Sequence, residues 1–401
     1  MFSTYRELFQ ASGTKSFALA GLLARLPLPM TGIGIITMLS QLTGSYGLAG
    51  AVAATFVLTY ALMSPQISRL VDRHGQRRVL PAAAGLSVLG ILLLLACSYW
   101  RLAEWTLFVG AALAGFMPSM SAMVRARWTT IYRGKSQLQT AYSLETVLDE
   151  VTFIAGPPIS VGLSVAVLPQ AGPLAAAVLL AIGVFALAIQ VGTEPPVEAE
   201  AVVGQGSNSV FRLADMRLLT LLVVAMGVIV GTVDIVSVAF AEQMGMPAAA
   251  SVVLSCYAIG SCAAGLMFGA LKLDTPLHKL LLLGGLATAA TTLPLLLAGN
   301  IVGLAGAVLV AGLFFAPTMI VAMSLVERIV PESKLTEGMT WLLAGLNVGV
   351  AGGAAASGQV VDAWGAKAGF NVALAAAAVL LVALWGYQRM RARAQQASYS
   401  V

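Results

Sequence analysis

Residues 68–80 read Ser68-Arg69-Leu70-Val71-Asp72-Arg73-His74-Gly75-Gln76-Arg77-Arg78-Val79-Leu80, a short basic turn wedged between an apolar run over 47–69 and another over 79–99. Each run has about the ~20 residues that a helix needs to cross the ~30 Å hydrocarbon core of a bilayer. A turn this rich in arginine between two such runs predicts a helical hairpin with its tip on the side of a membrane that favours Lys and Arg.

Working outward, further apolar runs lie at 16–41, 105–126, 138–165, 171–191, 217–241, 249–271, 279–298, 301–326, 337–358 and 368–388, which predicts twelve spans. Basic residues fill every second gap: Arg6 and Lys15, then the 68–80 turn, Arg125 to Lys135, Arg212 and Arg217, Lys272 and Lys279, Arg328 and Lys334, and Arg389 to Arg393. The exceptions among the 22 Lys and Arg are Arg25, Arg101 and Lys367. The bias of basic loops toward the cytoplasm places both termini there, in a multi-pass protein of the cytoplasmic (inner) membrane. A mean hydropathy of +0.91, with 59% hydrophobic and 10% charged residues, is too apolar for the surface of a soluble domain. The net charge of +5 is spread over these loops rather than gathered on one face, so it reads as topology and not as a nucleic-acid surface. No cleavable leader is expected, because the first run is long and carries Arg25 in its middle. Cys97, Cys256 and Cys262 form no CxxC or Cys/His group, and His74 and His278 fall in loops, so no metal site, cofactor or intramembrane histidine relay is expected.

The long polar interruption Thr193–Asp215 (TEPPVEAEAVVGQGSNSVFRLAD) divides the runs six and six. Its Pro, Glu, Gly and Ser content predicts a flexible connection. The expected organisation is an N-terminal bundle over 1–192, a cytoplasmic linker over 193–215, a C-terminal bundle over 216–392 and a cytoplasmic tail over 393–401. Two bundles flanking a central site is the arrangement that permits alternating access. A faint echo of the 68–80 turn, with Lys272, Asp274 and Lys279 after the eighth run, hints at duplication, and Gly265/Gly269 and Gly349/Gly353 have the spacing of close helix crossings.

The 68–80 turn resembles the signature loop of the major facilitator superfamily, G-x-L-a-D-R-x-G-r-k-x-x-L, with Leu70, Asp72, Arg73, Gly75, Arg77 and Leu80 matching and Ser68 and Gln76 departing. Gly75 suits the tight reversal, and Arg73, Arg77 and Arg78 suit a surface beside anionic lipid. The resemblance implies that Asp72 closes the cytoplasmic side by contacting the start of the eleventh helix and a nearby arginine, for which Arg125 and Arg127 are the candidates. In the fifth run, Gly156-Pro157-Pro158-Ile159-Ser160-Val161-Gly162 partly resembles the G-x-x-x-G-P-x-x-G-G motif of proton-coupled exporters of this superfamily, with Thr152 in place of the first glycine. A helix there is freed of backbone hydrogen bonds and bulk; a kink for packing is the plainer explanation.

Ionisable groups inside hydrocarbon are costly, which makes Arg25, Glu145, Asp149, Glu150 and Asp234 functional candidates. Arg25 lies about 14 Å into the first run, just before Pro27 and Pro29. On a helical wheel Glu145, Asp149, Gly156 and Ser160 share one face of the fifth span, while Glu150 turns about 100° from Asp149. A carboxylate that alternates between Arg25 and an open water path would couple protons to conformation. Against this stand a permanent pair of Arg25 with one acid, and a pair of Glu145 with Arg127 or Arg133. One arginine cannot neutralise all the acids, so at least one is expected to be free. Trp128, Trp341, Phe314 and Phe315 either line a cavity or simply pack.

These features predict an all-α membrane protein of the major facilitator fold. The predicted function is secondary active transport, with proton-coupled export of a small organic molecule favoured and a monomer expected. The rival is a proton-coupled or facilitative importer of a sugar or organic anion, with Arg25 binding the anionic group. No HExxH, GxSxG or P-loop supports an enzyme or an ATP-driven pump. A sensor or scaffold would need a folded appendage, and a channel a ring of charges or a repeated filter segment.

Overall fold

Proline and glycine decide where the long apolar runs break into helices. The computed structural model describes residues 2–43, 46–197, 209–246, 249–271 and 275–399, and within these it contains helices and turns. A short helix α1 (Phe2–Leu8) precedes α2 (Thr14–Arg25) and α3 (Pro27–Thr43), which together form one apolar span interrupted at Leu26. Pro27 and Pro29 supply no N–H to the carbonyls one turn earlier, so the helix loosens where Arg25 stands. Then follow α4 (Tyr46–His74), α5 (Gln76–Tyr99), α6 (Trp105–Ala114), α7 (Met120–Tyr132), α8 (Gln137–Ala166) and α9 (Ala171–Ala188). After the linker come α10 (Ala214–Gln243), α11 (Ala249–Ala270), α12 (Leu277–Ala290), α13 (Thr292–Leu296), α14 (Ile301–Ile329), α15 (Leu335–Trp364) and α16 (Ala366–Tyr399).

Ten of the described helical stretches are long and apolar enough to cross a membrane. The two other expected spans have physical reasons for falling short of that measure. Residues 105–126 are split into α6 and α7 by the non-helical Gly115–Ser119, and α8, although 30 residues long, carries three carboxylates and Pro157–Pro158. The last expected boundary shifts as well: α16 runs on through 393–399, a stretch expected to be a separate tail, because its Arg, Ala and Gln content continues to favour helix. The linker shows short 3-10 turns at Val191–Thr193 and Val210–Arg212, while 198–208, the middle of the expected flexible connection, lie outside the described residues. Lys272 and Asp274, which carried the echo between halves, also lie outside them.

Helices α2 to α9 pack mainly on one another, as do α10 to α16, and α4–α15, α8–α11, α8–α14 and α7–α15 join the two sets. The closest crossing is α10 on α15. There Gly227 and Gly231 lie against the backbone around Leu346 to Val350, and Gly349 and Gly353 lie against the carbonyls of Val224 and Val228. Each missing side chain lets one backbone rest on the other, the packing that substitutes for a hydrophobic driving force between apolar helices in lipid. Gly269 on α11 likewise abuts Ser143 of α8. The α4–α5 turn is a single residue, Gly75, at φ +86°, a conformation that other residues adopt only with strain.

A methyl group at Gly231 would run into the carbonyl of Val350, whereas one at Gly352, on the same helix as Gly349, meets nothing within 4 Å. Gly231→Ala is therefore expected to cost roughly 1–3 kcal/mol and to lower the melting temperature in detergent. Gly352→Ala leaves it unchanged; equal melting of the two variants would show that the α10–α15 crossing is not close-packed.

Candidate functional site

Three helix faces meet at Arg25. It is the last residue of α2, buried, and its guanidinium spans two acids of α8: Nη2 donates to Glu145 Oε2, and Nη1 donates to Asp149 Oδ1 at 3.1 Å. A second buried guanidinium, Arg125 of α7, donates through Nη2 to Asp149 Oδ2 at 2.8 Å. Ser121 Oγ donates to Asp149 Oδ1 at 2.5 Å, and the Trp128 indole N–H donates to Glu145 Oε1 at 2.7 Å. Two positive and two negative groups thus close a charge-balanced lattice on α2, α7 and α8. Removing one partner from such a buried set costs about 3–5 kcal/mol, because the other charge is left uncompensated.

Arg25 thus pairs with both Glu145 and Asp149, and Asp149 is shared with Arg125. Glu145 pairs with Arg25 rather than with Arg127 or Arg133. Arg125, a candidate partner of Asp72, is instead committed to Asp149, and the ion pairs of Arg133 are with Glu327 and Glu332. No local feature signals this pairing, because Arg125 and Asp149 stand 24 positions apart, on the neighbouring helices α7 and α8.

Asp149 keeps 19% of its side chain exposed, toward a small cleft lined by Arg25, Tyr60, Ser121, Thr152 and Phe153. Beyond it, Gly156 lets α8 approach the broken region of the first span: a Cβ there would stand 2.9 Å from Pro29 Cγ. One turn further, Ser160 Oγ donates to the Met30 carbonyl at 2.9 Å. Pro157 and Pro158 release the carbonyls of Phe153 and Ile154, so two weakened helices face each other at one depth.

Glu150 points elsewhere. It accepts from Ser261 Oγ of α11 at 3.0 Å, across the contact between the two sets of helices. No cation pairs with it among the described residues, and the same holds for Asp234 on α10, whose carboxylate accepts no hydrogen bond there.

At the arginine-rich end the two sets are bonded together. Asp72 Oδ2 accepts the backbone N–H of Glu337 at 2.9 Å, capping the start of α15, where the helix dipole favours an anion. Ser68 Oγ and Thr340 Oγ1 are 2.7 Å apart, and Arg69 Nε donates to Glu337 Oε1 at 2.6 Å. Arg133 Nε meets Glu327 Oε1 at 3.1 Å, and Thr140 Oγ1 donates to the Gly269 carbonyl at 2.7 Å.

Arg127 does not reach Asp72. It donates to Gln76 Oε1 at 2.7 Å, to the carbonyls of Leu187 and Gln190, and to Thr193 Oγ1 at 2.6 Å, tying the start of the linker to α5. The linker engages the same end at both sides. Glu194 Oε1 accepts the Arg77 N–H at 2.8 Å, and Glu337 Oε1 accepts from Ser209 Oγ at 2.5 Å and from the Val210 N–H at 3.2 Å. Trp341 stacks on Phe211, with ring centroids 4.4 Å apart. Trp128 and Trp341 thus support buried acids, and Phe315 packs near Tyr257.

The Major Facilitator Superfamily model matches residues 17–301 and 219–399. No curated protein matches the chain in sequence. A bacterial homologue of the iron transporter ferroportin, solved in its outward-facing state, superposes with a TM-score of 0.76 at 15% identity, over 94% of this chain and 99% of that one. The Escherichia coli fucose:proton symporter gives 0.69 at 18% identity, over 92% and 98%. The human organic anion transporter MFSD10 gives 0.70 at 12% identity, over 94% and 100%. At these identities the likeness speaks for the fold, and together with the family match it leads to one conclusion: this multi-pass, all-helical chain belongs to the Major Facilitator Superfamily.

Proposed function

We propose that this chain is a secondary active transporter that exports a small organic molecule in exchange for protons by alternating access. The carrying observation is Glu150, an acid without a cation partner whose hydrogen bond to Ser261 bridges the two sets of helices. Rocking of one set on the other would break that bond. A proton bound to Glu150 in one state and released in the other would couple the gradient to the movement. Arg25, Glu145, Asp149 and Arg125 act in this reading as a fixed lattice on the N-terminal side, holding α8 so that Glu150 faces the interface. Asp234 lies on the opposing α10, and Gly156-Pro157 allow α8 to bend against the first span.

Twelve spans, six on each side of the 193–215 linker, complete the proposal, with both termini and the arginine-rich loops in the cytoplasm and the protein acting as a monomer in the inner membrane. The Lys and Arg distribution supports that orientation. The bonds of Asp72, Ser68, Arg69 and Arg133 then close the cytoplasmic end, which corresponds to an outward-facing state. Arg73, Gly75, Arg77 and Arg78 shape the turn on which Asp72 stands. Import of an organic anion through Arg25 is disfavoured, because both ends of its guanidinium are occupied by Glu145 and Asp149.

The direction of transport is tested by the retention of compounds that raise the melting temperature of the purified protein. Cells lacking the chain are expected to retain more labelled compound than cells expressing it; lower retention would mean import.

Coupling and gating are read without a substrate, by maleimide labelling of a thiol introduced by Ser68→Cys in a chain freed of Cys97, Cys256 and Cys262. The labelling rate is expected to vary with pH and to become flat in Glu150→Gln; an unchanged pH profile in that variant would remove Glu150 from the mechanism. Adding Asp72→Ala deletes the cap on α15, worth about 0.5–2 kcal/mol, and is expected to speed labelling on the order of 2- to 30-fold. No acceleration would mean that Asp72 does not hold the closed end.

Asp149→Asn is a different kind of lesion. It leaves Arg125 uncompensated, and a loss of about 3–5 kcal/mol in stability is expected, seen as a lower melting temperature. Normal melting of Asp149→Asn would show that the lattice is not structural.

A further inference from the structure

The buried charges do not cancel, and the imbalance has a definite place. Arg25 and Arg125 are used up by Glu145 and Asp149, and Arg127 is held by Gln76 and backbone carbonyls at the arginine-rich end. Glu150 on α8 and Asp234 on α10 are left without a cation partner among the described residues, within electrostatic range of each other. Their surroundings come from α11 and α14, which pack on each other and on α8 and α10. Tyr257 lies one turn from Ser261 on the same face of α11, the face whose Ser261 hydroxyl reaches Glu150. Tyr257 is only 8% exposed, its hydroxyl lies within electrostatic range of both carboxylates, and it has no hydrogen-bond partner among the described residues. Its ring meets Phe315 of α14, with centroids 6.0 Å apart. Two carboxylates without a cation, the hydroxyl of a buried tyrosine without a hydrogen-bond partner among the described residues, and a pair of aromatic rings form a surface complementary to positive charge carried on hydrocarbon.

We infer that the meeting point of α8, α10, α11 and α14 binds a small organic cation, its charge compensated by Glu150 and Asp234 and its apolar part laid against Tyr257 and Phe315. The inference rests on the transport reading above and gives that site a substrate class. An anionic cargo would approach two carboxylates with no free guanidinium beside them. A bare metal ion would gain nothing from the two rings. The same carboxylates would take either a proton or the cation, which makes exchange of one for the other a matter of competition for a single place.

The test is equilibrium binding of radiolabelled tetraphenylphosphonium to the purified full-length protein in detergent at fixed pH. Tetraphenylborate, of the same shape and opposite charge, serves as one competitor and Mn²⁺ as another. Saturable binding is expected that unlabelled tetraphenylphosphonium displaces and tetraphenylborate does not, weakened at least tenfold in Glu150→Gln and in Asp234→Asn. The comparison of the two competitors on the unmodified chain needs no variant to fold. Absence of binding, equal displacement by tetraphenylborate, or full affinity in both variants would overturn the inference, and displacement by Mn²⁺ alone would overturn it in favour of a metal ion. None of these outcomes touches the pH dependence of labelling at position 68, so failure of the substrate class and failure of proton coupling are read separately.

Discussion

Compensation of charge away from water is the constraint on which the rest of the arrangement depends. An isolated guanidinium or carboxylate at membrane depth is penalised by several kcal/mol, and the penalty is relieved only when opposite charges are held at hydrogen-bond distance with their remaining donors satisfied. The lattice of Arg25, Arg125, Glu145 and Asp149 holds opposite charges at that distance within three helices of one half, and leaves Nε and Nη1 of Arg125 as its unsatisfied donors. It fixes the rotation of α8 about its axis. Once Glu145 and Asp149 are turned toward α2 and α7, the neighbouring Glu150 must face roughly 100° away, toward α11. The placement of Glu150 at the interface therefore follows from the pairing of the two acids beside it.

The contacts within each set of helices and those between the sets are made differently. Within the C-terminal set, α10 and α15 rest backbone on backbone through Gly227, Gly231, Gly349 and Gly353, a fit that tolerates little sliding. Between the sets at the arginine-rich end, the contacts are hydrogen bonds and ion pairs such as Asp72 to the Glu337 N–H and Arg133 to Glu327. Each of these is worth on the order of 1 kcal/mol, because water replaces the partner when the contact opens. Separation at this end is thus a sum of small, reversible losses, whereas distortion inside a set would create voids or clashes.

Much of this was legible in the residues and some was not. The apolar runs and the alternating basic gaps announced a polytopic helical protein, because hydrophobic length and loop charge are local properties. Asp72 stood out for the same reason, as the acid in a turn otherwise explained by topology. The partner of each buried charge was not local. Arg125 looked like a residue at the edge of a span and proved to be buried and bonded to Asp149, since helix α7 starts only at Met120 after the Gly115–Ser119 break. The linker looked like a flexible connection on composition, yet Glu194 and Ser209 are anchored by an exposed N–H of α5 and by a buried carboxylate of α15, partners far away in sequence.

That anchoring bears on how the halves move. Glu337 is held at once by Arg69 of α4 and by Ser209 and Val210 of the linker, and its own backbone N–H is capped by Asp72. With Trp341 Nε1 as a fourth donor, this carboxylate is an integrator: withdrawing α4 leaves it bonded to the linker and to its own helix, so α15 does not expose an unsatisfied charge as the end opens. The cost of opening is then borne by Asp72 and Arg69, which stand near water and can be solvated at once. In the proposed alternating-access cycle, opening is then shallow enough in energy for a change of charge at Glu150, one helix away on α8, to tip the balance between the two states.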